Sequence, residues 1–174
     1  MIRVGTGFDV HAYADADADA DAEAAADGQA RAEPVLRLAG LDWPGEPALA
    51  GHSDGDAVCH AVVDALLSAA GLGDIGGLVG VDEPGTAGAA STGFVTTALE
   101  RLASNGWSPV NVSVQIVGNR PRFAPRRDEA QLVMSELVGA PVTLSATTTD
   151  HLGFTGRGEG LAVIATALIA RADA

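Results

Sequence analysis

Ile2, Val4, Phe8 and Val10 fall on alternate positions. That is the period of a strand, with Gly5 and Gly7 weakening its middle. Val35–Leu41 resumes an apolar strand pattern, and Trp43-Pro44-Gly45 breaks it. Ala57–Ala70 reads as a helix stopped at Gly71, with Asp54 or Asp56 placed to cap its start. Residues 71–93 read as loop. Thr92–Asn105 predicts a second helix, ended by Asn105-Gly106, and Arg126–Val138 a third. Val110, Val112, Val114 and Ile116 alternate through a half-buried strand, Val110–Val117, and Val142–Thr149 predicts another. A glycine-rich turn fills 153–160. Leu161–Ala170 is apolar on both faces and reads as a buried strand, with a helix as the alternative. Interspersed helices and strands put the chain in the α+β or α/β class.

One segment departs from this pattern. Residues 12–34 are nearly all Ala and Asp, and Asp15 to Glu33 holds seven acids against one base. Without core-forming residues it is expected to be a solvated loop insertion. The 174 residues suit one domain with a real core.

Charge and composition narrow the chemistry. The net charge is −13, which argues against non-specific nucleic-acid or anionic-membrane binding. All ten basic residues are arginine. The absence of lysine excludes a Walker A phosphate loop and any Schiff-base chemistry, pyridoxal phosphate included. Cys59 stands alone and cannot form an intrachain disulfide. No apolar run reaches bilayer length and the N-terminus lacks a signal-peptide pattern, so the expected address is the cytoplasm.

Three constellations carry chemistry. Asp9-x-His11 places a carboxylate and an imidazole on one face of a strand, about 7 Å apart along the chain. Alone, such a pair is often merely solvated. Asp56, His60 and Asp64 are spaced i, i+4, i+8 and would line one helix face, or belong to a capped, exposed helix. With Asp9 and His11 added, two imidazoles and a carboxylate make a zinc set with one open position. Cys59 turns about 100° from His60 and is expected to be small, buried and no ligand. The third runs from Ala146 to Gly160. Its Thr147-Thr148-Thr149, Asp150 and Arg157 would suit phosphate and a divalent ion, or simply a strand and its turn.

The strings GFDVHAY, GHSDGDAVCHAVVDALL, GLGDIG and ATTTDHLGFTGRGEG, in this order and spacing, resemble the 2-C-methyl-D-erythritol 2,4-cyclodiphosphate synthase family everywhere outside 12–34. The resemblance implies an enzyme of the non-mevalonate isoprenoid pathway. It implies a reaction in which the 2-phosphate of 4-diphosphocytidyl-2-C-methyl-D-erythritol 2-phosphate would attack the β-phosphorus of its own diphosphate, with CMP leaving. It implies zinc on Asp9, His11 and His60, with Val10 lying between two of these ligands at the substrate. It implies a substrate-gripping His52-Ser53 pair, with His52 and Thr148 catalytic and Thr147 and Thr149 beside them. Asp74, Ile75 and Gly76 would hold the ribose. The loop 79–83, Asp82 above all, would hold the methylerythritol end. Gly118, Asn119, Arg120, Pro121, Arg122, Phe123 and Ala124 would form the cytosine pocket. Asp150 would hold a second divalent ion, Mg²⁺ or Mn²⁺, and Phe154 and Arg157 would touch substrate. The implied protein is one α+β (α/β sandwich) domain over 1–174, a mixed sheet on one layer of about three helices. It would be a homotrimer with active sites at subunit interfaces.

The chain departs from the family pattern in places. Asp150 stands where Glu is common, and His151 where Lys is. Val79-Gly80-Val81-Asp82-Glu83 replaces Phe-Pro-Asp-Thr-Asp, and Ala89-Ala90-Ser91 lacks the usual aspartate. Two other readings compete on ligands alone: a zinc-dependent phosphohydrolase, and a non-catalytic metal- or diphosphate-binding protein.

Overall fold

Strand β1 (Ile2–Ala12) shows an inversion of the expected burial. Its apolar residues Ile2, Val4, Phe8 and Val10 are exposed, while Gly5 and Gly7 are buried. The cause lies in helix α1 (Ala57–Ala70), whose Ala57, Ala61, Ala65 and Ala69 form a buried stripe at i+4 spacing. A Cβ on Gly7 would overlap the Ala61 carbonyl oxygen and stand 2.7 Å from Ala65 N. The helix therefore lies directly on the strand backbone, and only glycine permits that approach. These relations come from a computed structural model that describes residues 1–14, 35–51, 53–79 and 89–171. The expectations for 15–34, His52 and Asp82 lie outside the described residues.

Strand β6 (Gly160–Ala170) pairs antiparallel with β1 on one side and with β4 (Ser108–Val117) on the other. Strand β5 (Val142–Thr147) runs parallel to β4 at the edge, joined by a crossover through the helix Arg127–Val138. The four-stranded sheet is thus mixed, in the order β1-β6-β4-β5. Three long helices cover one face: α1; the helix Ser91–Ser104, packed on α1; and Arg127–Val138, packed on β5. Among the described residues none covers the opposite face, where Ile164 of β6 joins the exposed residues of β1. This is the expected α+β sandwich. No helix among the described residues is long and apolar enough to cross a membrane.

Several local expectations need correction. Trp43-Pro44-Gly45 does not end the strand; β2 (Val35–Leu38) turns at Ala39-Gly40 into β3 (Leu41–Pro47). The hairpin tolerates Pro44 because its register shifts between Val35 and Leu36, leaving 44–46 outside the ladder. Ala39 and Gly40 both have positive φ. Their N–H groups donate to the Asp56 carboxylate, which also accepts Val58 N–H and Cys59 N–H as the cap of α1. Asp56 is therefore buried and structural and does not share a site stripe with His60 and Asp64. The segment 71–93 is not all loop. It holds a short helix α2 (Ile75–Val79), and helix α3 (Ser91–Ser104) already begins at Ser91.

The C-terminal half has smaller shifts. The alternation of β4 fails at its start, because a bulge between Pro109 and Asn111 leaves Val110 exposed. A 3₁₀ turn (Ala124–Arg126) leads into α4 (Arg127–Val138). β5 ends at Thr147, so Thr148 and Thr149 are loop residues. The expected glycine-rich turn contains a short helix, α5 (Gly153–Arg157). Leu161–Ala170 lies wholly in a strand, but its Ile164 and Thr166 are exposed and only the other face is core.

Candidate active site

β1 and α1, held in contact by the glycines, bring Asp9, His11 and His60 together. Asp9 and His11 share the helix-facing side of β1, as the i, i+2 spacing requires. Asp9 Oδ2 lies 2.8 Å from His11 Nδ1 and 3.5 Å from His60 Nδ1. The imidazole ring centres are 5.2 Å apart and tilted by 49°. The ligand atoms of all three residues lie within 4.8 Å of one another. Asp9 Oδ2 and His11 Nδ1 are buried, and neither makes a well-formed hydrogen bond. Buried polar atoms left this way are rare, and ligand atoms gathered this closely are what a small cation requires. One carboxylate and two imidazoles fit zinc with a position to spare. Burial alone would raise the Asp9 carboxyl. The adjoining His11 and His60 outweigh it and hold it down to about 2.

Val10 lies between the two strand ligands with its side chain on the opposite, exposed face. Cys59 is fully buried, as expected, and burial pushes its thiol well above the ordinary value. Ser53 joins the cluster, its Oγ 3.2 Å from His60 Nε2. Two turns of α1 extend the site to the segment Asp74-Ile75-Gly76. Asp64, one turn past His60, accepts Ile75 N–H at 2.8 Å, and Asp74 accepts Gly77 N–H at 2.8 Å. Burial raises the Asp64 carboxyl, and the charges of Asp74 and Asp9 act in the same direction.

The loop after β4 divides by direction. Pro121 and Phe123 are buried, Phe123 stacked on Trp43 at 5.6 Å, which leaves Arg120, Arg122 and Ala124 exposed. Gly118 N–H donates to Thr147 O, and Asn119 Nδ2 donates to Gly156 O. These bonds tie the loop to the threonine segment. There Thr148 Oγ1 donates to Asp150 Oδ1 at 3.1 Å, and Thr149 Oγ1 is 3.0 Å from Thr155 Oγ1. Asp150 and His151 both have positive φ, unusual outside glycine, so this turn is sharply formed. Phe154 is exposed, and Arg157 forms a two-bond pair with Glu159. Among the described residues, no hydrogen bond or ion pair joins Thr147–Arg157 to the Asp9–His11–His60 cluster.

Two residues that sequence reasoning does not assign to the site belong beside it. Ser91 Oγ is 2.9 Å from His60 Nε2, and Ser91 Oγ–H donates to Asp54 Oδ1. In the sequence Asp54 reads only as a possible cap. Ser91 stands 31 positions from His60, and no local spacing signals their contact.

The chain resembles known proteins along nearly its whole length. The model of the YgbB family matches residues 2–170. The chain is 52% identical over 170 residues to a bifunctional enzyme IspD/IspF of Clavibacter michiganensis, covering 98% of this chain but only 37% of that protein. It is 50% identical over 171 residues to a 2-C-methyl-D-erythritol 2,4-cyclodiphosphate synthase of Cutibacterium acnes, covering 98% of this chain and 92% of that one. A solved synthase of the same name, in a CDP-bound form, superposes with a TM-score of 0.79 at 30% identity, over 97% of this chain and all of the other.

Proposed function

Because the chain belongs to the YgbB family, that of the 2-C-methyl-D-erythritol 2,4-cyclodiphosphate synthases, we propose that it makes this cyclic diphosphate from 4-diphosphocytidyl-2-C-methyl-D-erythritol 2-phosphate. A 2-phosphate oxygen forms a bond to the β-phosphorus. The bond from that phosphorus to the bridging oxygen breaks, and CMP leaves with the oxygen and its electron pair. The observation that carries the reading is the gathering of Asp9, His11 and His60, with Asp9 Oδ2 2.8 Å from His11 Nδ1 and 3.5 Å from His60 Nδ1.

Attack of one phosphate on another brings anions together, and this chain, with −13 net charge and no lysine, offers them little positive field. Zinc on Asp9, His11 and His60, and Mg²⁺ or Mn²⁺ with Asp150, would supply Lewis acidity and neutralise phosphate charge. The protein's own share is positioning. Ser53, beside His60, would orient a phosphate at the cluster, with His52 as its neighbour in the chain. Asp74 to Gly76, pinned by Asp64, would hold the ribose, and the exposed part of 118–124 the cytosine; CDP in the solved relative supports this ligand class. Thr148 and Asp150 would act on the diphosphate, and Asp82 on the methylerythritol end.

A homotrimer is part of the reading. The uncovered apolar face of Ile2, Val4, Phe8, Val10 and Ile164 suits burial against further copies of the chain. Among the described residues Thr148 and Asp150 make no hydrogen bond or ion pair to the cluster, which suits a site completed by a second subunit.

Phosphorus NMR of the purified protein with this substrate, Zn²⁺ and Mg²⁺ tests the proposal. The expected result is a cyclic diphosphate together with CMP, abolished by chelator. A linear product with free phosphate would favour the hydrolase, and bound zinc without turnover would favour a binding protein.

A further inference from the structure

We infer that Asp54 and Ser91 act as a positioning relay that presents the Nδ1 lone pair of His60 to the metal. The inference rests on the reading of Asp9, His11 and His60 as metal ligands. It follows from the direction of each proton. The Asp54 carboxylate can only accept. It accepts Ser91 N–H through Oδ2 at 3.1 Å and Ser91 Oγ–H through Oδ1. The single hydroxyl proton of Ser91 is thereby committed to Asp54, although Ser53 Oγ also lies 3.4 Å from Ser91 Oγ. The Ser91 oxygen can then face His60 Nε2 at 2.9 Å only as an acceptor. Ser53 Oγ also lies 3.2 Å from Nε2, but the shorter Ser91 contact has no other proton to use, so in the neutral ring His60 supplies the proton at Nε2 and its Nδ1 carries the lone pair. Nδ1 is the nitrogen that points to Asp9 at 3.5 Å.

The relay is built on rigid supports. Ser91 is fully buried at the first turn of α3. The preceding Ala90 has no side-chain acceptor, and Asp54 takes over its capping role from across the fold. Asp54 is itself held by Asp56 N–H at 3.2 Å. A carboxylate acting on a metal-binding imidazole usually does so directly; here a buried hydroxyl stands between them.

Metal-free protein labelled with ¹⁵N-histidine gives the test, through long-range proton–nitrogen correlation, with His60→Ala identifying the His60 signals. Wild-type His60 is expected as the single Nε2–H tautomer. Ser91→Ala and Asp54→Asn should lose that exclusivity and bind zinc about 10- to 100-fold more weakly in a chelator competition. An Nδ1–H tautomer in the wild type would overturn the relay without any variant, so a Ser91→Ala protein that fails to fold does not block the test. Unchanged tautomer and zinc affinity in both variants would also overturn it. Wild-type protein that takes up no zinc would instead remove the metal reading, and the tautomer would still decide the Asp54–Ser91–His60 geometry.

Discussion

The hydroxyl of Tyr13 donates to the carbonyl oxygen of Arg120 at 2.8 Å. The bond joins the residue just past β1, two positions from His11, to the loop proposed for cytosine. Tyr13 is also held by its N–H to Glu159 O and by a bridge to Leu49, and Ala14 N–H donates to Ala48 O. The first residues of the segment expected to be a loop, 12–14, are therefore bonded into the fold beside the pocket.

Tyr13 is the only tyrosine, which makes its titration readable. Burial raises its phenol, and the charge of Glu46 adds to this, to about 12. The folded value exceeds the ordinary 10.0, so the stabilisation is complete below pH 10 and is lost as the pH rises towards 12. Phenolate absorbance should appear near pH 12 in folded protein and near 10 in denaturant. Tyr13→Phe should weaken CMP binding about fivefold, the equivalent of one neutral hydrogen bond. Unchanged affinity would separate Tyr13 from the pocket.

Asp56 gathers four backbone N–H groups from two elements. Asp56→Ala leaves them unpaired in the core and should lower stability by about 3 kcal/mol, or roughly 6–12 °C in Tm. Asp56→Asn, keeping one acceptor oxygen, should fall between. Folded Asp56→Ala should still bind zinc, because this residue faces the hairpin and not the cluster. Loss of zinc with little change in Tm would return Asp56 to the site.

The strand ligands were legible because sheet geometry alone puts Asp9 and His11 on one face. His60 was legible only once its helix was set against that strand, which the four motif strings imply together. The burial of β1 was not legible. Alternating Ile2, Val4, Phe8 and Val10 mark an apolar face without saying whether helix or another chain covers it. The decision was made by Gly5 and Gly7, whose missing side chains admit α1. Asp56 and Asp64 have the same helical spacing from His60, yet one caps and the other pins Ile75. The Ser91–His60 contact depends on how α3 meets α1, and nothing local encodes it.

Gly7 and Gly93 offer a matched comparison. Gly7→Ala would press a methyl group into the α1 backbone, which cannot yield as a flexible side chain does. A loss of about 3 kcal/mol is expected, with weaker zinc binding because β1 and α1 carry the ligands between them. Gly93 lies in α3 with ordinary backbone φ and open space where a methyl group would project. Gly93→Ala should be neutral or stabilising by up to about 1 kcal/mol. Equal denaturant midpoints for the two variants would contradict the close packing of α1 on β1.

Zinc should stabilise the native chain, because its three ligands are gathered only when β1 and α1 are packed. At roughly a thousandfold excess over Kd, a ligand that binds only the folded state contributes about 4 kcal/mol. Thermal melts should therefore rise on adding zinc and fall again with chelator. Asp9→Ala removes the carboxylate on which both imidazoles converge, and should erase the zinc-dependent shift and cyclisation together. In chelator its melt should also fall at neutral pH, since the variant removes the stabilisation that His11 and His60 give the Asp9 carboxylate. Asp150→Ala separates the two proposed metals. It should keep the full zinc shift, since Asp150 is exposed and lies outside the cluster, while lowering turnover in Mg²⁺. A zinc shift retained by Asp9→Ala, or lost in Asp150→Ala, would show that the ligands had been assigned to the wrong half of the site.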